Sequence, residues 1–186
     1  MFNITSGNLV ISDPCYKLYE PLRYQEVLPA KNGKWVTHAE IEDTRHWGSR
    51  VSKLFAFHED YAPISRRWSL EYSGTNPVRN RIHYGKDMAV DSGQLGFFDY
   101  EFFKAHESER EYGSGDFYSR CCDATLSDKQ YGIIDEQGVV SSSGYGDGSY
   151  PLYYVTDDFN RVVGVCVDYM SEEEYDEEEY EYEDEV

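Results

Sequence analysis

Apolar residues in this chain recur mostly at every second position, in short runs separated by turn-forming residues. A period of two marks a strand with one or both faces buried. Residues 8–13 (NLVISD) form the first such run, ended by Asp13–Pro14, where proline biases its predecessor toward extended backbone. Residues 17–31 contain Pro21 and Pro29 and read as irregular, with at most one helical turn. Asn32–Gly33 is a hairpin signal leading into residues 34–42, where Trp35, Thr37, Ala39 and Ile41 share a face. A polar break over residues 43–49 contains Trp47. Val51, Lys53, Phe55 and Phe57 then alternate with Ser52, Leu54, Ala56 and His58, which predicts a strand buried on much of both sides. Trp68, Leu70 and Tyr72 give another alternating face, closed by Ser73–Gly74 and Asn76–Pro77.

The middle of the chain adds helices. A short strand at residues 88–91 is followed by Ser92–Gly93 and by Leu95, Gly96, Phe97 and Phe98. Asp99 can cap a helix running from Tyr100 to about Arg110, and Asp116 a second short helix with Phe117, Cys121 and Ala124 on one face. Residues 131–134 and 139–142 flank a turn containing Gly138, and residues 152–156 and 162–168 flank a turn over 157–161. In the last strand, Val163, Val165 and Val167 alternate with Val162, Gly164, Cys166 and Asp168. Many short strands with one or two short helices predict an α+β domain dominated by antiparallel sheet, not a dinucleotide-binding α/β unit.

Charge divides the chain in two. Of 36 acidic residues, 11 lie in residues 171–186 (SEEEYDEEEYEYEDEV), which hold no Lys or Arg. The remaining 25 acidic groups face 17 basic ones, so residues 1–170 carry a net charge of -8 out of the total of -19. The reading is one domain over 1–170 followed by an acidic tail. Like charges at i,i+4, such as Glu173–Glu177 and Glu174–Glu178, oppose a helix there, and a flexible tail is predicted. Tyr175, Tyr180 and Tyr182, set among carboxylates including Glu177 and Glu178, could add contact area to an electrostatic anchor for a partner. A field of this sign repels phosphates, so direct nucleic-acid binding is not expected. No apolar run approaches the length of a membrane span, and no basic, then apolar, leader is visible at residues 1–7. The expected location is the cytoplasm.

Cys15, Cys121, Cys122 and Cys166 lack C-x-x-C spacing, and His38, His46, His58, His83 and His106 are scattered singly. Reduced thiols are expected, and a zinc site is not. There is no P-loop, dinucleotide fingerprint or G-x-S-x-G, and no cofactor is expected.

Three stretches carry a family likeness: SGNLVISDPCY at 6–16, VDSGQLGFFD at 90–99 and SGYGDGSYPLY at 143–153, with the valine-rich strand after them. Together they resemble the DUF4241-like bacterial and phage proteins, a domain of unknown function. The likeness covers most of 6–169 and leaves out the tail. It implies no catalytic residues; the phage or bacterial setting it implies would suit host interaction or toxin immunity, with a host's cytoplasm as the location of a phage-encoded member.

The same stretches place aspartates at bends: Asp13–Pro14, Asp91–Ser92–Gly93 and Gly146–Asp147–Gly148–Ser149, with Asp99 eight residues after Asp91. If the turns converge, Asp13, Asp91, Asp99 and Asp147 could hold a hard cation or form an acid/base pair, with hydroxyls from Ser92 and Ser149. The competing explanation is that Asp and Ser beside Gly bond to nearby amides and only fix the turns. Small basic groups at Arg66–Arg67, Arg79, Arg81 and Lys86 read as partners for acidic neighbours. The sequence therefore points to a non-catalytic, acidic protein-binding module. Its expected role is inhibitor- or immunity-like: it would block a basic protein surface, in one version the cleft of a nucleic-acid enzyme. The alternatives are a small metal-dependent hydrolase using the turn aspartates, and a virion or other structural protein.

Overall fold

Two antiparallel sheets share one apolar layer. The structure is a computed structural model and describes residues 1–19, 24–63, 69–70, 82–110, 113 and 116–171. In chain order the strands are β1 (Phe2–Ile4), β2 (Asn8–Ser12), β3 (Glu26–Pro29), β4 (Gly33–Asp43), β5 (Ser49–His58), β6 (His83–Val90), β7 (Gln94–Asp99), β8 (Tyr131–Ile134), β9 (Gly138–Ser142), β10 (Gly148–Thr156) and β11 (Val162–Asp168). Helices α1 (Tyr100–Ala105) and α2 (Asp116–Thr125) lie between β7 and β8. The six-stranded sheet has the order β1-β4-β5-β11-β10-β6 and the five-stranded sheet the order β3-β2-β7-β9-β8. This is the α+β, mainly antiparallel class that the alternation predicts.

Alternation along each strand builds three apolar layers. Leu9 and Ile11 of β2, Phe97 of β7 and Val139 of β9 face Trp35, Leu54, Met88 and Val165 of the other sheet in the central core. Their neighbours Val10, Phe98 and Val140 point to the opposite side, where Phe102 and Phe103 of α1 and Phe117 and Cys121 of α2 cover them. A third cluster, with Phe55, Phe57, Val163 and Cys166, lies on the outer face of the six-stranded sheet. The five-stranded sheet is thus buried on both faces, which explains why β7 shows a continuous apolar run. Each fully buried phenylalanine among these contributes about 1.5–3 kcal/mol relative to exposure. The Phe98 ring lies over Gly96 and Gly138: a Cβ at either position would stand 2.4 Å from a ring atom.

Several local expectations change in the folded chain. Residues 26–29 form β3 despite the prolines, because β2 offers it an antiparallel partner through Leu9–Leu28 and Val10–Val27; Pro29 sits at the edge, where no ladder donor is needed. Asn32–Gly33 does not turn a hairpin, since β3 and β4 belong to different sheets. Val51 packs in the central core with Leu54 and Ala56 rather than on the outer face with Phe55 and Phe57, because Ser52 is bulged out of the pairing in which Glu40 meets Lys53 and Ile41 meets Val51; Ile41, near the end of β4, is 44% exposed. Val163 is likewise bulged out of the pairing in which Val155 meets Gly164 and Thr156 meets Val162; it joins the outer cluster while Val165 and Val167 point to the core. Helix α1 stops at Ala105, short of Arg110. The amide of Phe117 in α2 is met by the Glu109 carboxylate at 3.0 Å, so Asp116 stands inside the first turn rather than capping it. Of the 68/70/72 face only Leu70 falls within the described residues; Arg66, Arg67, Arg79, Arg81 and the tail from residue 172, with Tyr175, Tyr180, Tyr182, Glu177 and Glu178, lie outside them. No described helix is long and apolar enough to cross a membrane.

Candidate functional site

The turns at the ends of β2, β6 and β9 meet at one end of the sandwich. Asp13, just after β2, is fully buried. Its Oδ2 accepts the amides of Asp91 at 2.9 Å and Ser92 at 2.7 Å. Its Oδ1 accepts the Ser92 hydroxyl at 2.6 Å and the Cys15 amide at 2.9 Å. A carboxylate has about four lone-pair sites, and all four are filled by the protein. The next turn is tied in turn: the Ser143 amide donates to the Gly93 carbonyl at 3.1 Å, and Gly146 lies against Gly93. Asp147 and Ser149 are exposed beside this junction, Ser149 opposite Ala89 in the β6–β10 ladder.

Asp99 stands elsewhere. It pairs with Leu9, whereas Ser12 pairs with Gly96, which puts Asp99 about 13 Å of strand away from Asp13. Its Oδ1 caps α1 through the amides of Glu101 and Phe102, at 3.0 and 3.2 Å. Its Oδ2 takes the amides of Thr5 and Ser6, at 2.7 and 2.8 Å. Burial works to raise its pKa, but the amide donors from Ser6, Thr5 and Phe102 outweigh it and hold the carboxyl below its ordinary value. The four-aspartate site expected from the sequence therefore divides: Asp13, Asp91, Ser92, Asp147 and Ser149 share one end, and Asp99 fixes the other.

Around the Asp13 knot lie side chains that no motif marked. Burial, with Asp13 and Asp91 nearby, raises the Cys15 thiol. Burial, and then the neighbouring Asp91 carboxylate, raise the Tyr16 phenol. Burial pushes the Tyr118 phenol, next to Ser92, up to about 12. All three groups are thus held protonated at neutral pH, which suits hydrogen-bond donation rather than nucleophilic attack. Arg110, buried between the rings of Phe103 and Phe117 at 3.7 and 4.6 Å, donates to the Phe103 carbonyl; burial lowers it to about 10. Among the described residues no group of three or more His, Cys, Asp or Glu is placed to hold a metal ion. A small cleft of about 210 Å³ is lined by Tyr19, Gln25, Glu26, Val27 and Lys86; Gln25 donates to the Ser12 hydroxyl beside Asp13 at 2.9 Å, and Lys86 is bound in the cleft by Glu26 at 3.1 Å.

The same end of the sandwich also presents an aromatic pair. Trp47, 66% exposed in the β4–β5 loop, and Tyr145, 61% exposed in the β9–β10 loop, meet edge to face with ring centroids 6.4 Å apart. Both loops are braced from within. The Thr44 hydroxyl donates to the Gly48 carbonyl at 2.7 Å and the Arg45 amide to Asp43 Oδ1 at 2.9 Å. The Tyr150 hydroxyl donates to the Gly146 carbonyl at 2.7 Å, and the Ser143 hydroxyl to the same carbonyl at 2.8 Å. Gln130 in the α2–β8 loop links the two sheets here by donating to the Ser49 carbonyl at 2.8 Å and accepting from Ser142 Oγ at 3.2 Å. Trp47 alone is an unremarkable polar-loop tryptophan in the sequence; only the packing of the two loops makes it half of a pair.

These features define an antiparallel α+β sandwich with helices on the outer face of one sheet, whose loops converge on a hydrogen-bonded, aromatic-bearing end. The chain belongs to the DUF4241 family: the family model described as "Protein of unknown function (DUF4241)" matches residues 2–167. No curated protein and no solved structure matches the chain.

Proposed function

We propose that this domain is a non-catalytic protein-binding module that engages a basic surface of its partner, in the manner of an inhibitor or immunity protein. The observation that carries the reading is the exposed Trp47–Tyr145 pair on two braced loops. Tryptophan and tyrosine are the side chains most enriched at binding hot spots, and rigid loops lower the entropy cost of docking. The net charge of -8 on residues 1–170, with 11 more acidic groups in 171–186, favours encounter with a cationic surface. A hydrolytic role for the turn aspartates has less support, since Asp13 spends its acceptor sites on the protein's own amides.

The test is binding of the full chain to the partner recovered by affinity capture from the source cells, followed by kinetic measurement. Trp47→Ala and Tyr145→Ala should each weaken binding at least about tenfold, as hot-spot truncations do. Phe159→Ala is the control: Phe159 is 78% exposed at the tip of the β10–β11 turn, at the far end of the sandwich. Raising salt from about 0.05 to 0.5 M should slow association. Equal losses for all three variants, or none, would remove the loop end from the interface.

A further inference from the structure

The geometry points to an arginine side chain as what the Trp47–Tyr145 pair receives from its partner; this rests on the binding role proposed above and goes on to name the group that is bound. Two rings at an interplanar angle of 72° form a corner with one aromatic face on each wall. A guanidinium fits such a corner because it is planar, weakly hydrated and attracted by the ring quadrupole.

The charges around the corner have the matching sign. Glu42 and Asp43 end β4 next to the Trp47 loop, and Asp147 lies two residues beyond Tyr145; all three are exposed. Asp91 at the adjoining turn and Asp128 in the α2–β8 loop, which Gln130 joins to Ser49, are exposed as well. The opposing exposed cations in these loops are Arg45 and Lys129. Carboxylates near an aromatic corner add Coulomb attraction for a cation and penalise an anionic or neutral occupant. A lysine would feel the same carboxylates but loses the planar stacking, so the aromatic corner itself should distinguish arginine from lysine at equal charge. That discrimination separates this site from general attraction to an acidic protein or to its tail.

The experiment titrates the full-length protein with two blocked pentapeptides, acetyl-Gly-Gly-Arg-Gly-Gly-amide and its lysine counterpart, and follows the indole N–H resonances by NMR. Trp47→Phe assigns the Trp47 signal among those of Trp35 and Trp68. The expected result is a saturable shift at Trp47 with the arginine peptide, with an affinity about three- to tenfold above that of the lysine peptide. Tyr145→Ala, shown to be folded by its unchanged dispersed spectrum, should abolish that preference while leaving any weak, salt-sensitive binding elsewhere. Equal affinity for the two peptides, or no shift at Trp47, overturns the inference. So does a concentration-dependent dimer in sedimentation that Trp47→Ala dissociates, which would assign the corner to a second copy of the chain. If the peptides fail at Trp47 while the captured partner still depends on Trp47 and Tyr145, the arginine inference falls and the binding role stands; if the partner is also indifferent to both residues, both fall.

Discussion

Removing the Asp13 carboxylate should be among the most costly single changes in this domain. Asp13→Ala strips the acceptor from the amides of Cys15, Asp91 and Ser92 and from the Ser92 hydroxyl. A buried donor left unmet costs about 1–3 kcal/mol. Four of them give a gross figure of roughly 4–12 kcal/mol, but water entering the vacated space will recover part of it, and single substitutions rarely exceed about 5 kcal/mol. The expected loss is therefore about 4–5 kcal/mol, a drop of about 8–20 °C in Tm for a domain of this size. Asp13→Asn should cost less, for a geometric reason. With its amide nitrogen in the Oδ1 position, the remaining oxygen still serves Asp91 and Ser92, and the Ser92 hydroxyl can rotate to accept. Only the Cys15 amide is orphaned, so about 1.5–3 kcal/mol is expected. Ser92→Ala should cost less again, about 1 kcal/mol, and its effect should not add to that of Asp13→Asn. The assay is urea unfolding followed by tryptophan fluorescence, with the m value checked for constancy. An Asp13→Ala loss under about 1 kcal/mol would refute the assignment of Asp13 as a turn-fixing group and reopen it as a ligand-binding carboxylate.

Other outcomes follow from the same structure. His58 is buried, with Nδ1 accepting the Asp60 amide at 3.2 Å; its Nε2 therefore carries the proton and donates to the Asn32 carbonyl at 3.0 Å. Burial, aided by Lys31, lowers its pKa below the ordinary value of 6.5. The unfolded chain then binds more protons than the folded one, so this contribution is complete above about pH 6.5 and declines as pH falls toward the folded-state pKa, by no more than about 1.4 kcal/mol per pH unit. His58→Gln should flatten the slope of stability between pH 7 and 5, leaving the share of His38, which burial also lowers; an unchanged slope would refute the assignment. Gly96→Ala places a Cβ 2.4 Å from the Phe98 ring and 2.6 Å from the Val139 carbonyl. Backbone cannot yield easily there, so overpacking of about 2–3 kcal/mol is expected, and an unshifted unfolding midpoint would contradict it. All four cysteines are unpaired, with Cys121 and Cys166 buried and their thiols raised by burial. Intact-mass measurement should find four alkylated thiols after unfolding and neither of these two labelled in the native protein.

What the sequence determined by itself was local. The Asp99 cap was legible because its acceptor and the amides of Glu101 and Phe102 lie within three residues, so nothing distant is needed to form it. The alternation of β5 from Lys53 onward and the doubly apolar run of β7 were legible because the pleat maps position onto face directly. The hairpin joining β8 and β9 could be placed, although Gly138 opens β9 and the left-handed turn residues are Asp135 and Glu136; the three turn motifs marked where the chain bends. Tertiary structure decided everything that depends on pairing across long separations. The bulges at Ser52 and Val163 arise from the register of neighbouring strands, and they put Val51 and Val163 on faces that the linear pattern assigned otherwise. Residues 26–29 became a strand because β2 needed an edge partner, against a proline-rich local preference. Asp13 could be read as a turn aspartate, but its main partners are 78 and 79 residues away, and only the alignment of the β2 and β6 ends brings them together. Asp99, close to Asp91 in sequence, was carried to the far end of the sandwich by the length of β7. Trp47 and Tyr145 became one surface because two loops from different strand pairs end at the same height, and hydrophobic periodicity holds no record of that.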